Sequence, residues 1–251
     1  MVLSMIEASS ETANAPMPRG FLGSRTLPLI YVNMPKSACT TIKNIMVRFD
    51  TGRFLDDPLT VHRRSKELFV HWRDAPGEIE RRLASDVVFT LVRHPLRRSY
   101  SCFTEKVHFT SPYSFGWVRR HVTGAYGADF EAAPTLERHR ANFKAFLRFV
   151  DANARGTDRE VRRDPHWLPQ FGVLRNAERV RRIDVVGRVE TFDQHFGAVL
   201  AMVGASRDFD VPRMNEGPKP PFRYEDVVDD EIRELGSAIF ADDFQRFGYA
   251  L

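Results

Sequence analysis

Pro35-Lys36-Ser37-Ala38-Cys39-Thr40-Thr41 and Val92-Arg93-His94-Pro95-Leu96-Arg97-Arg98-Ser99-Tyr100-Ser101 are the segments of this chain best suited to chemistry. Each puts a basic residue and hydroxyls where a short apolar run gives way to a helix start. The free N–H groups of a helix N-terminus and the helix dipole both favour an anion at such a junction. Two junctions of this kind predict a ligand with phosphates at two separate places.

Elements of the right type flank both segments. Apolar runs of strand length occur at residues 27–34, 66–72, 86–92 and 183–189. They are nearly continuous, as in strands buried on both faces. Helical periodicity follows at 41–49, where Ile42, Ile45, Met46 and Phe49 share a face, and at 142–151, 192–203 and 226–247. Strands alternating with helices predict an α/β fold with a parallel, doubly wound central sheet flanked by helices. Lys36, His71, Arg93 and Glu190-Thr191 then fall at or just past the carboxyl ends of predicted strands, the edge where open α/β sheets bind ligands. Residues 1–26 read as a flexible tail and 27–251 as a single domain. The stretch from Phe109 to Pro134, rich in Gly, Ser, Pro and aromatics, reads as a substrate loop or lid.

The bulk properties narrow the class. A chain of 251 residues, 43% hydrophobic and 28% charged, is long enough for one well-filled core. No stretch approaches a membrane span of about 18 apolar residues, and the first residues do not read as a signal peptide. Two cysteines, Cys39 and Cys102, suit a reduced, cytoplasmic protein. The net charge is +4, with only six lysines among 37 basic residues. Arginine is the better bidentate reader of phosphate and sulfate. Clusters such as Arg162-Arg163 read as solvated faces, and no dense basic stripe with interleaved aromatics suggests a nucleic-acid partner.

The first segment has the layout of a phosphate loop but not the Walker pattern, because Lys36 precedes the turn. No predicted strand ends in a convincing magnesium-binding Asp, so no metal is expected. From the residues alone, another nucleotide enzyme such as a kinase or hydrolase stays open. So does a non-catalytic module that binds an acidic glycan or nucleic acid.

Five ordered motifs resemble the sulfotransferase family. Residues 35–43 are similar to its 5′-phosphosulfate loop, and residues 93–101 to its 3′-phosphate segment. His166-Trp167-Leu168-Pro169-Gln170, Val185 to Phe192 and Ile239 to Tyr249 resemble elements of the carbohydrate branch, which includes the Golgi enzymes for HNK-1, chondroitin and dermatan. Those enzymes carry a membrane anchor and several lumenal cysteines, so a compact, bacterial-type cytoplasmic member is expected here.

The resemblance implies a P-loop-like three-layer fold, with a central, mainly parallel sheet flanked by helices, and 3′-phosphoadenosine-5′-phosphosulfate as donor. The sulfuryl group would pass to a hydroxyl acceptor, a carbohydrate. Lys36 would neutralise the leaving phosphate, while Ser37, Ala38, Cys39, Thr40 and Thr41 cradle it. Arg93 and Ser101 would hold the 3′-phosphate, and Arg188, Glu190 and Thr191 would lie near the nucleoside. His71, 22 residues before Arg93, is the expected general base, with His166 as its rival. Trp167 and Pro169 would wall the site. Arg98 would be structural, Arg97 solvated, and Lys219 a loop lysine able to cover the 3′-phosphate.

Overall fold

The computed structural model describes residues 20–250 apart from 72–74, 134, 213 and 215–218. In chain order the elements are β1 (Phe21–Gly23), β2 (Leu29–Val32), α1 (Cys39–Thr51), α2 (Thr60–Arg63), α3 (Ser65–Leu68), β3 (Val70–His71), α4 (Pro76–Ser85), β4 (Val87–Val92) and α5 (Pro95–Cys102). A π-helical turn, Phe103–His108, continues α5. Then come α6 (Gly116–Tyr126), α7 (Leu136–Arg155), α8 (Gln170–Glu178), β5 (Val185–Arg188), a 3₁₀ turn at Val189–Thr191 and α9 (Phe192–Met202). The last three helices are α10 (Tyr224–Val227), α11 (Asp230–Ile239) and α12 (Ala241–Phe247).

The sheet order is β3-β1-β2-β4-β5. β2, β4 and β5 are parallel, whereas β1 runs antiparallel to β2 and β3. The sheet is mainly parallel, as expected, with four of the five strands pointing one way and β1 as the exception. The exception has a simple cause. Only residues 24–28 join β1 to β2, far too few for a parallel crossover.

Alternation along the strands buries both faces. Tyr31, Phe89 and Leu91 pack with Ile42, Ile45 and Met46 of α1 and with Phe196, Val199 and Leu200 of α9. Ile30, Val32, Val88 and Val92 pack with Ile79 and Leu83 of α4, Leu174 of α8 and Phe247 of α12. That makes three layers. A further, helical core centres on Phe103, Phe143, Phe146, Phe149 and Trp167.

Several boundaries differ from expectation. The tail expected over 1–26 does not hold for residues 20–26. β1 lies inside the sheet, and Asp50 of α1 fastens the loop after β1, accepting from the hydroxyls of Ser24 and Thr26 at 2.6 and 2.7 Å. Residues 1–19 lie outside the described residues. The run 66–72 shortens to β3 because residues 65–68 form a helical turn, and Trp72 lies outside the described residues. The middle of the stretch 109–134 is α6, which buries Val118 and Val122 one helical turn apart. Pro134 is likewise undescribed. α7 starts six residues before the expected 142, because the Thr135 hydroxyl caps it by accepting from Arg138 N–H. The pattern 226–247 is broken into three helices, with Asp229 capping α11.

Candidate functional site

β2 ends at Val32 and α1 opens at Cys39. Between them Lys36 (φ 66°) and Ala38 (φ 57°) both adopt the left-handed conformation. For non-glycine residues that costs about 1–3 kcal/mol each and persists only where surroundings enforce it. The enforcing group is Arg98, buried to 1% exposure. Its guanidinium donates to the carbonyls of Pro35 (2.9 Å), Leu168 (3.0 Å) and Pro165. Arg98 is structural, as expected. The first turn of α1 has no acidic residue, and no side chain caps it. Its N–H groups are thus left for an anion, in a curled backbone suited to one.

The second segment repeats this arrangement next door. β4 ends at Val92 and α5 opens at Pro95, again with no side-chain cap and no acid in its first turn. Gln170 joins the two segments. Its Oε1 accepts from Ser37 Oγ at 3.3 Å and from Arg93 N–H at 2.9 Å, and its Nε2 donates to Arg93 C=O at 2.8 Å. Buried Asp243 in turn holds the start of α8, accepting from the N–H groups of Gln170 (2.9 Å) and Phe171 (2.6 Å). Burial raises the Asp243 pKa against the pull of these donors and Arg98.

Arg93 is half-buried, and its Nη1 donates to Lys36 C=O at 3.4 Å. Among the described residues no carboxylate pairs with it. Burial lowers its pKa, with Glu190 acting in the opposite sense. Glu190 is committed elsewhere, accepting from His94 N–H (2.8 Å) and Tyr249 OH (2.7 Å). Ser101 sits on the last turn of α5, and the buried Ser99 Oγ has no hydrogen-bond partner among the described residues.

Arg188 lies over the Tyr249 ring at 4.8 Å and donates to the Gly248 carbonyl at 3.1 Å, so it ties down the C-terminal turn. Thr191 Oγ1 meets His195 Nδ1 at 2.7 Å. Arg97, expected to be solvated, instead pairs with Glu225 at 2.8 Å and covers the Tyr224 ring. Trp167 does not wall the site. It is buried in the helical core, its indole N–H donating to Asn153 at 2.8 Å. Lys219 is exposed, and Gly217 and Pro218 of its loop lie outside the described residues.

The π-helical turn brings in a group that the motifs do not reveal. Glu105 forms an ion pair with Lys36, whose side chain is 8% exposed, and a second with Lys106 at 2.8 Å. Burial opposes its charge, but Lys36 and Lys106 overcome this and hold the Glu105 carboxyl at about 2. The widened turn carries Glu105 round to the loop, and helical spacing from Pro95 gives no sign of that.

Histidines frame the opening. His62 of α2 approaches Thr40 Oγ1 at 2.9 Å through Nε2 and Lys43 Nζ at 3.4 Å through Nδ1. Although the residue is exposed, desolvation together with the Lys43 and Lys106 charges pushes its pKa down to about 4. His166 presents Nδ1 to Asp164 at 2.6 Å and stands edge-on to Phe115. Burial lowers its pKa, Asp164 opposes that, and the Lys106 and Lys36 charges reinforce it. Trp117 packs against Phe115, and Lys106 Nζ lies over the Phe115 ring at 5.6 Å. Tyr113 and Trp117 are exposed, and Arg63 donates to the Tyr113 hydroxyl at 2.6 Å.

His71 is the last residue of β3, at the carboxyl end of its own strand and one rung before the end of β2 at Val32. It shares a rung with Leu22, Tyr31, Phe89 and Val185, three residues short of the Val92–Arg188 pair. Its Nε2 meets Ser65 Oγ at 3.0 Å. Among the described residues no His, Cys, Asp and Glu group could hold a metal ion, and no helix is long and apolar enough to cross a membrane.

The model of the sulfotransferase family matches residues 19–250. The chain is 27% identical over 187 residues to carbohydrate sulfotransferase 11 of Rattus norvegicus, covering 71% of this chain and 51% of that protein. It is 28% identical over 194 residues to carbohydrate sulfotransferase 14 of Homo sapiens, covering 74% and 47%. The chain thus spans about half the length of the curated relatives it matches. No solved structure gives a significant match.

Proposed function

The chain belongs to the sulfotransferase family, and from that premise we propose that it moves a sulfuryl group from 3′-phosphoadenosine-5′-phosphosulfate to a carbohydrate hydroxyl. The observation that carries the donor reading is the pair of uncapped helix starts, Cys39 and Pro95, on adjacent parallel strands. Arg93, a half-buried cation with no carboxylate partner among the described residues, lies between them. One helix start suits the 5′-phosphosulfate and the other, with Arg93 and Ser101, the 3′-phosphate.

In the reaction the acceptor oxygen forms a bond to sulfur as the bond from sulfur to the phosphate oxygen breaks. Negative charge grows on that phosphate. Lys36 exchanges Glu105 for it, and the N–H groups of residues 38–41 supply fixed donors. The acceptor proton passes to a histidine. Two are candidates. The Asp164-oriented ring of His166 keeps Nε2 as an acceptor near Lys36, whereas His71 has its separation from Arg93 in its favour. Tyr113 and Trp117, exposed beside Arg63 and Lys106, offer a sugar ring an apolar face with cations at its rim. The names of the relatives support a carbohydrate acceptor.

The test is a thermal shift comparison. 3′-Phosphoadenosine-5′-phosphate is expected to raise Tm by mass action, and AMP, lacking the 3′-phosphate, to do much less. Equal shifts at matched concentrations would overturn the two-site reading.

A further inference from the structure

Lys43 and His62 play no part in the sulfuryl-transfer chemistry. Lys43 points from α1 toward α2 and is 4% exposed. Burial lowers its pKa, yet among the described residues it has no carboxylate partner. Its Nζ meets His62 Nδ1 at 3.4 Å, while the other ring nitrogen meets Thr40 Oγ1 at 2.9 Å. Asn44 fixes the two elements against each other, its Nδ2 donating to the carbonyls of Thr40 (2.9 Å) and Pro58 (3.0 Å).

Donor counting sets the direction of the chain. An ammonium has three N–H donors and no acceptor, so His62 Nδ1 must accept from Lys43. A neutral imidazole carries one proton, which then resides on Nε2 and is donated to Thr40 Oγ1. The threonine hydroxyl therefore receives a bond and keeps its own proton to give. Mid-helix threonines often spend that proton on a carbonyl of the preceding turn. Thr40 makes no such bond among the described residues, and it stands in the first turn of α1, beside the uncapped N–H groups.

We propose that Lys43, His62 and Thr40 form a hydrogen-bond relay that turns the Thr40 hydroxyl proton onto the 5′-phosphate end of the sulfuryl donor. The proposal rests on 3′-phosphoadenosine-5′-phosphosulfate being that donor. His62 acts through Thr40 and is a positioning residue. A hydroxyl aimed before the ligand arrives spends none of the binding free energy on reorientation.

A double-mutant cycle with 3′-phosphoadenosine-5′-phosphate, read by calorimetry on the full chain, tests this. Thr40→Val and His62→Leu are each expected to weaken binding about ten-fold, the loss of one hydrogen bond to a charged group. The double variant is expected to be no weaker than either single one, since both remove the same aimed proton. His62→Gln, whose amide can accept from Lys43 and donate to Thr40, is expected to bind within about two-fold of the unaltered chain. His62→Ala takes the place of His62→Leu if the latter does not fold. The relay is overturned if the single losses multiply in the double variant, if His62→Leu binds normally, or if Gln rescues no better than Leu. Failure of the unaltered chain to bind overturns the donor reading and the relay with it.

Discussion

Gln170 clasps the backbone of Arg93 from both sides, accepting from its N–H at 2.9 Å and donating to its carbonyl at 2.8 Å. The same side chain takes the hydroxyl of Ser37, 133 residues away in sequence, and so sets the spacing of the two anion segments. Gln170→Leu would leave both Arg93 backbone groups without this partner in a half-buried place. The expected loss of stability is about 1–3 kcal/mol per orphaned group, read as a lower urea midpoint. Nucleotide affinity should fall as well. A variant with unchanged midpoint and affinity would remove Gln170 from the site.

Arg93 and Arg97 make opposite predictions from positions four residues apart. Arg93→Ala removes the cation that has no carboxylate partner among the described residues. Binding of 3′-phosphoadenosine-5′-phosphate should weaken by about 1.5–3 kcal/mol. Arg97 is paired with Glu225 and covers Tyr224, so Arg97→Ala should bind normally. Calorimetry on both variants decides, and equal losses would contradict the assignment.

Glu105 makes stability depend on pH. Its folded pKa, about 2, lies below its ordinary 4.5 because of Lys36 and Lys106, against the effect of burial. Between those values the unfolded chain binds more protons. Its stabilisation is therefore full above pH 4.5 and disappears as pH falls through 2, on the order of 3 kcal/mol in all. Glu105→Gln should be less stable near neutrality and lose less on acidification. Urea titrations from pH 7 to pH 2.5 measure both, and identical slopes for the two proteins would refute the link.

Turnover separates the two candidate bases. A lost general base costs about 10²–10⁴-fold in rate, with nucleotide binding little changed. If His166 is the base, His166→Ala shows this loss. Burial and the nearby lysines lower its pKa, so activity should hold down to pH 6.5 and fall only below it. If His71→Ala shows the loss instead, the base stands at the end of β3.

The local grammar of this chain is legible without a structure. Strand, tight turn and helix start are written into residues 27–41 and again into 86–101, because alternating burial and helix-start chemistry act over a few residues. The α/β class, the places of Lys36 and Arg93 just past their strands and the structural role of Arg98 could be read at that range. The tertiary structure decided what depends on contact between distant segments. It set β1 inside the sheet, because a short connection forces an antiparallel partner. It put Glu105 on Lys36, because a π turn shifts the helix face, and His62 on Thr40, because α2 folds back over α1. Neighbour-to-neighbour preferences specify an element and its ends. Which buried charge meets which partner is settled only when packed elements exclude water and each remaining polar group must find what lies within reach.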